Sequence, residues 1–154
     1  MKHSDRVPGM RVSIVRDAEV MRPGGGGPAV ADCARTVAAL ARQFVPEGEE
    51  REHFLAILLD ARRNVKGVVV VSIGTLSASL VHPREFFRPA IVAGAAAVVA
   101  VHNHPSGSPT PSAEDRDVTR RLQRAGELLG IPLADHVVIG AAGAWYSFRE
   151  MGVL

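Results

Sequence analysis

The sequence predicts an α/β domain, a mixed β-sheet flanked by helices. Short apolar strand patterns alternate with helical ones along the chain. The segment Lys66 to Ile73 is β-branched, and Ala96 to Val101 is wholly apolar, as buried strands are. The 154 residues are 47% hydrophobic and 22% charged, a balance that supports a packed core and argues against a disordered chain.

The elements follow in order. Arg11 to Val15 alternates apolar and polar residues and reads as an edge strand. Pro23 to Pro28 is a Pro/Gly stretch and reads as a linker or exposed loop, so residues 1–28 form an N-terminal extension and 29–154 the domain. From Ala29 to Phe44, Val30, Cys33, Val37, Leu40, Ala41 and Phe44 fall at helical spacing, with Cys33 a small core residue on that helix. Pro46 and Gly48 end it. His53 to Asp60 reads as a buried strand, Ala61 to Asn64 as a turn, and the strand after it should close an antiparallel hairpin. Pro83 to Ala95 looks helical, with Pro83 at an allowed first-turn position and Pro89 predicting a break or kink. Ser112 to Leu129 is a long helix whose inner face carries Val118, Leu122, Ala125 and Leu129. Pro132 to Ile139 and Ala144 to Phe148 complete the sheet, with Trp145 and Tyr146 at its edge.

Bulk properties narrow the functional classes. A formal net charge of +2 gives weak support for nucleic-acid binding, which needs a concentrated basic face. Cys33 is the single cysteine, so neither an internal disulfide framework nor a cysteine zinc knuckle can form. A reducing compartment is the simple inference. No signal-peptide core opens the chain, and the apolar run Ile91 to Val101 is shorter than the ~18 residues a membrane span requires. A cytoplasmic protein without membrane attachment is expected.

The chemistry concentrates near His102. His102 and His104 lie two residues apart at the end of the apolar strand, so period-two alternation puts both imidazoles on one side. Pro105 stops the strand. The loop Ser106 to Pro111 is rich in turn formers and can fold back to bring Asp115, in the first turn of the next helix, beside the rings. Two imidazoles and a carboxylate suit a tetrahedral zinc whose fourth position is left for water. Such a water has a pKa of about 7 and can attack a carbonyl. A helix cap competes for Asp115, because Ser112-x-x-Asp115 is also a capping box.

The run from His102 to Asp115 resembles the JAMM motif of the MPN/JAB domain: H-x-H-P, seven residues ending in Ser112, two more and an aspartate. The stretches HNHPSG, GTLSASLVHPREFF and LADHVVIG resemble the RadC branch of that family, over roughly Ala29 to Leu154. The resemblance implies the three-layer, cytidine-deaminase-like architecture and metallopeptidase or isopeptidase chemistry with one zinc per chain. It makes His102, His104 and Asp115 the metal ligands and Ser112 the residue that steadies the oxyanion. It also calls for a glutamate base near the first sheet strand. Glu52 matches best, ahead of Glu49, Glu50 and Glu85; Glu47, Glu49 and Glu50 otherwise read as a solvated acidic loop, and Glu85 as a helix-dipole partner. Asn103 stands where many JAMM enzymes have Ser or Thr, which leaves the substrate class open. Longer RadC proteins carry an N-terminal region resembling helix-hairpin-helix DNA binders, for which about thirty residues leave no room, so the family's link to DNA repair transfers poorly.

Other residues divide between roles. His82 and the Asp135-His136 pair are candidates for orienting a ligand, against readings as a turn histidine and a structural hydrogen bond. His53 reads as structural. Arg116, Arg120 and Arg124 line one helix face, a phosphate stripe or, more simply, a solvated surface. The expected partner is a peptide or protein substrate, with a homodimer or another protein completing the cleft of so short a chain. The rival functions are a DNA-associated binding module and a metal-dependent nuclease. Iron or manganese would also accept the ligand set.

Overall fold

The structure is a computed structural model that describes residues 30–74 and 81–154. The expected Arg11–Val15 strand, the Pro23–Pro28 linker and the extension 1–28 lie outside the described residues. Helix α1 (Ala34–Ala41) precedes the hairpin β1 (Glu52–Leu59) and β2 (Val65–Gly74). Then come α2 (Pro83–Val92), β3 (Ala97–Asn103), α3 (Ala113–Leu129), β4 (Leu133–Ile139) and β5 (Trp145–Ser147). The sheet order is β2-β1-β3-β4-β5. Among the described strands only β3 and β4 pair in parallel, and α3 makes the crossover that such a pair requires. The other neighbours are antiparallel, so the sheet is mixed as expected.

Alternation along β1 sorts its side chains onto two cores. Leu55, Ile57 and Leu59 pack with α1 residues Val37, Ala38 and Leu40, while Phe54, Ala56 and Leu58 pack with Phe86, Phe87, Val118 and Leu122 of α2 and α3. The result is three layers: α1, the sheet, and the α2/α3 pair. The β1–β2 turn is closed by Asp60, whose carboxylate accepts from the Arg62 and Asn64 backbone N–H groups at 2.8 and 2.9 Å.

Three local expectations change. Helix α1 begins at Ala34, because Val30 bridges to Asn64 and the Ala31 N–H donates to the Arg63 carbonyl at 3.0 Å, which ties the preceding residues to the hairpin. Cys33 is therefore the half-buried N-cap of that helix, and its Sγ lies 3.3 Å from Thr36 Oγ1. Pro89 does not break α2. The helix runs through it to Val92 because Phe86, Phe87, Pro89 and Ala90 are all buried, and that packing outweighs the one backbone bond a proline cannot make. On α3, Val118 and Leu122 are buried and Ala125 packs against the same cluster, but Leu129 is 45% exposed, beyond the reach of the sheet at the last helical position.

Helix α3 approaches the chain leading into β4 so closely that Gly126 has no room for a side chain. A Cβ there would lie 2.6 Å from the Ile131 carbonyl oxygen and 3.2 Å from the Leu133 nitrogen. Gly126→Ala should therefore lower stability by roughly 1–2 kcal/mol, even though alanine favours helix. Chemical denaturation checks this; an unfolding midpoint equal to or above wild type would contradict the close contact.

Candidate metal centre

His102 lies in β3, fully buried, where β1 and β4 flank it; His104 follows just past the strand end. The chain leaves β3 through a braced loop. The His104 N–H donates to the Ile139 carbonyl at 3.0 Å, and the Ala141 N–H donates to the Gly107 carbonyl at 2.9 Å. Gly140 is pressed onto this loop, since a Cβ there would meet the Gly107 oxygen at 2.4 Å. The loop then delivers Ser112 and Asp115 to the start of α3.

His102, His104 and Asp115 converge. The two Nε2 atoms are 3.0 Å apart, His102 Nε2 is 3.1 Å from Asp115 Oδ1, and His104 Nε2 is 3.2 Å from Oδ2. One ligand atom from each of the three residues fits within 4.8 Å of the others, and they are the group among the described residues that could hold a metal ion. The donor chemistry fits a cation. His104 Nδ1 lies 2.8 Å from the Ser108 carbonyl oxygen, which can only accept, so Nδ1 carries the hydrogen and the neutral ring turns a lone pair on Nε2 toward the site. That lone pair meets a carboxylate and a second imidazole nitrogen, a convergence that a divalent cation relieves.

The geometry leaves the two readings of Asp115 compatible. Ser112 Oγ accepts from the Asp115 N–H at 3.1 Å, and Asp115 Oδ2 accepts from the Ser112 N–H at 2.6 Å, a complete capping box. A carboxylate has lone pairs enough for the cap and both imidazoles. Burial alone would raise the Asp115 pKa. The adjacent His102 and His104 imidazoles and the Ser112 N–H prevail and hold it well below the carboxylate range. His104 is raised, first by its bond to Asp115, whereas burial pushes His102 down.

Glu52 opens β1, two residues before Phe54, and Phe54 pairs with His102. Continuing that antiparallel register brings Glu52 level with His104 and on the same face. Its pKa is raised, chiefly by burial, with His104 pulling it down and Asp115 pushing it up. The competing glutamates are placed otherwise. Glu49 binds Arg51 through two bonds of 3.0 Å and His53 at 2.9 Å, and these bonds, Arg51's first, hold it down at about 2. Glu50 is exposed. Glu85 is in the first turn of α2, where it pairs with Arg84 at 3.1 Å and Arg88 at 3.6 Å.

The remaining candidates resolve locally. His82 caps α2 as a turn histidine, its Nδ1 accepting from the Arg84 N–H at 3.2 Å. The Asp135-His136 pair is not a carboxylate–imidazole couple. Asp135 accepts from the His136 and Arg149 backbone N–H groups and the Ser147 hydroxyl, while the His136 ring points to the opposite face and meets His102 at 2.9 Å. Neighbours on a strand face opposite sides, so a sequence pair cannot be a contact pair there. Thr119, which sequence reading passed over, touches His136 at 2.7 Å; its one signal is its place a helical turn after Asp115. His53 is buried and structural, held by Glu49 and, through its N–H, by Asn103 Oδ1 at 2.7 Å. Asn103 also donates to the Arg51 carbonyl at 3.1 Å, so it ties β3 to the approach of β1. Arg120 pairs with Asp117, and the arginine face of α3 lies at the surface.

A cleft of about 650 Å³ opens beside His104. Glu47, Glu49, Gly107 and the Gly140–Gly143 turn line it, and Arg42 shapes that turn by donating to the Gly140 and Ala144 carbonyls at 3.1 and 2.8 Å. No helix among the described residues is long and apolar enough to cross a membrane.

A family model described as RadC-like JAB domain matches residues 31–153. A UPF0758 protein of Trichlorobacter lovleyi is 54% identical over 104 residues, covering 68% of this chain and 45% of that protein. One from Thermotoga maritima is 53% identical over 105 residues, with 68% and 47% covered. One from Geotalea uraniireducens is 39% identical over 160 residues, with 89% and 70% covered. The chain thus spans less than half the length of the Trichlorobacter and Thermotoga proteins. With a five-stranded mixed sheet, helices on both faces and the His-His-Asp group at the end of β3, the chain belongs to the RadC-like JAB domain family.

Proposed function

We propose that this protein is a zinc-dependent hydrolase that cleaves an amide or isopeptide bond in a peptide or protein. The observation that carries the reading is the convergence of His102, His104 and Asp115, with His104 lining a cleft. Three protein ligands leave a tetrahedral position open, which distinguishes catalytic zinc sites from structural ones. A bound zinc would supply a Lewis acid for the scissile carbonyl and bring the pKa of a water to about 7.

The protein's side chains do the rest. Glu52 takes the proton from the attacking water and returns it to the leaving amine. Partial burial raises its proton affinity toward the working pH, which favours both transfers. Ser112 uses a lone pair of its oxygen for the helix cap, so its O–H remains a donor for the oxygen on which negative charge develops. The neighbours that hold the Asp115 pKa well below its ordinary value favour its ionised form, which keeps its ligand oxygens available. The cleft beside His104 receives the substrate chain.

The test is cleavage of quenched-fluorescent peptides and lysine-linked isopeptides by the zinc-loaded protein. Loss of cleavage on chelation and its return with zinc are expected. Metal-dependent cleavage of DNA with intact peptides would overturn the reading in favour of a nuclease. Salt-dependent DNA binding that ignores the metal, with no cleavage, would favour a binding module.

A further inference from the structure

We infer that His136 and Thr119 are positioning residues of the metal centre, a hydrogen-bond relay that fixes His102 in the one tautomer that presents a lone pair to the ion. The inference rests on the metal-site reading above and adds residues to it.

The relay follows from counting hydrogens. Thr119 Oγ1 lies 2.6 Å from the Asp115 carbonyl oxygen, an acceptor only, so the single hydroxyl hydrogen points there. Thr119 Oγ1 can then only accept from its other neighbour, His136 Nδ1, at 2.7 Å. A neutral imidazole has one N–H, so His136 Nε2 carries a lone pair. That nitrogen lies 2.9 Å from His102 Nδ1, which must therefore be the N–H. His102 Nε2 is left with its lone pair directed at His104 and Asp115. The alternative is an imidazolium at His136. It would be a wholly buried charge, and both oxygens of Asp135 are engaged elsewhere.

The arrangement is unusual in its partner. A metal-binding histidine generally donates to a carboxylate, a carbonyl or water. Here it donates to a second imidazole, and the chain of bonds ends on the backbone of Asp115, itself a ligand. His102 and Asp115 are thus tied to each other on both sides, through the site and behind it. Ring stacking fixes the tilt of each imidazole: Phe54 lies on His102 at 5.6 Å and 7°, and Phe148 on His136 at 5.1 Å and 11°. Thr119 and His136 are 3% and 0% exposed, so water cannot substitute for either link.

The experiment measures zinc affinity by competition with a chromophoric chelator for wild type, Thr119→Val, Thr119→Ser and His136→Phe. Thr119→Val keeps the shape and removes the hydroxyl; it should weaken zinc binding about 10- to 100-fold, the range for lost outer partners of a ligand. His136→Phe should do at least as much, and Thr119→Ser should bind as wild type does. Nitrogen-15 NMR of the metal-free wild type should show His102 protonated at Nδ1. Zinc affinity within about twofold of wild type in both Thr119→Val and His136→Phe, or His102 protonated at Nε2 alone, would overturn the relay. Failure of wild type itself to take up zinc would instead overturn the metal site, so the two failures are distinguishable.

Discussion

Changing Glu52 to glutamine should lower the rate of peptide cleavage by about 10²- to 10⁴-fold, the range for loss of a positioned general base. Zinc content and the unfolding midpoint should remain those of wild type. Glutamine keeps the size and polarity of the side chain at the start of β1, and the metal ligands come from β3, the loop after it and α3, so neither the sheet nor the site depends on the Glu52 charge. The separation matters, because a slow variant that had also lost zinc would say nothing about proton transfer. The acid limb of the pH profile gives a second reading. The base must be ionised to accept a proton, and burial raises Glu52 above its ordinary value of 4.5. Activity is therefore present above that raised pKa and falls as pH drops through it. A Glu52→Gln enzyme with wild-type turnover would move the base to another group.

In the proposed site Asp115 joins metal binding to the helix cap it makes, and two substitutions should separate them. Asp115→Ala removes the ligand and the acceptor for the Ser112 N–H. In the presence of chelator it should cost about 1 kcal/mol of stability, the usual value of a lost cap. Asp115→Asn retains an oxygen that can accept from Ser112, so the metal-free protein should stay close to wild type. Both variants should lose more zinc affinity than the 10- to 100-fold expected for an outer partner, because a charged ligand is gone. Denaturation in chelator and zinc competition measure the two effects independently. Equal metal-free stability of the two variants would mean that the 2.6 Å bond from Ser112 to Asp115 contributes little.

How legible the site was in the sequence depends on distance along the chain. His102, His104, Ser112 and Asp115 fall within one strand end, one loop and one helix start, so local spacing placed them together. The capping box was also local, and the apparent competition for Asp115 arose from treating its carboxylate as a single acceptor. Glu52 is different. Its place opposite His104 comes from pairing of β1 with β3, a long-range register that no local pattern specifies, and only family resemblance pointed to it. Thr119 carried only its place a helical turn after Asp115, since a threonine inside a helix bonding back to a carbonyl is otherwise ordinary. His136 was noticed for its neighbour Asp135, yet its ring meets His102, across the sheet on the parallel strand. The same reasoning explains Pro89: a local rule predicted a break, and burial of α2 on the sheet overrode it. The cores were legible because the continuous apolar runs of β1 and β3 and the spacing of Val118 and Leu122 in α3 are short-range patterns.

Elemental analysis of wild type and His104→Ala, purified side by side after growth with zinc, tests the central claim most directly. His104 contributes one Nε2 to the three-ligand group and lies past the end of β3, so its loss should leave the sheet intact while opening the ligand set. The account predicts about one zinc per chain in wild type, the complement of a three-ligand site, and almost none in the variant. Wild-type protein that takes up no zinc, or a His104→Ala protein that holds as much as wild type, would contradict it.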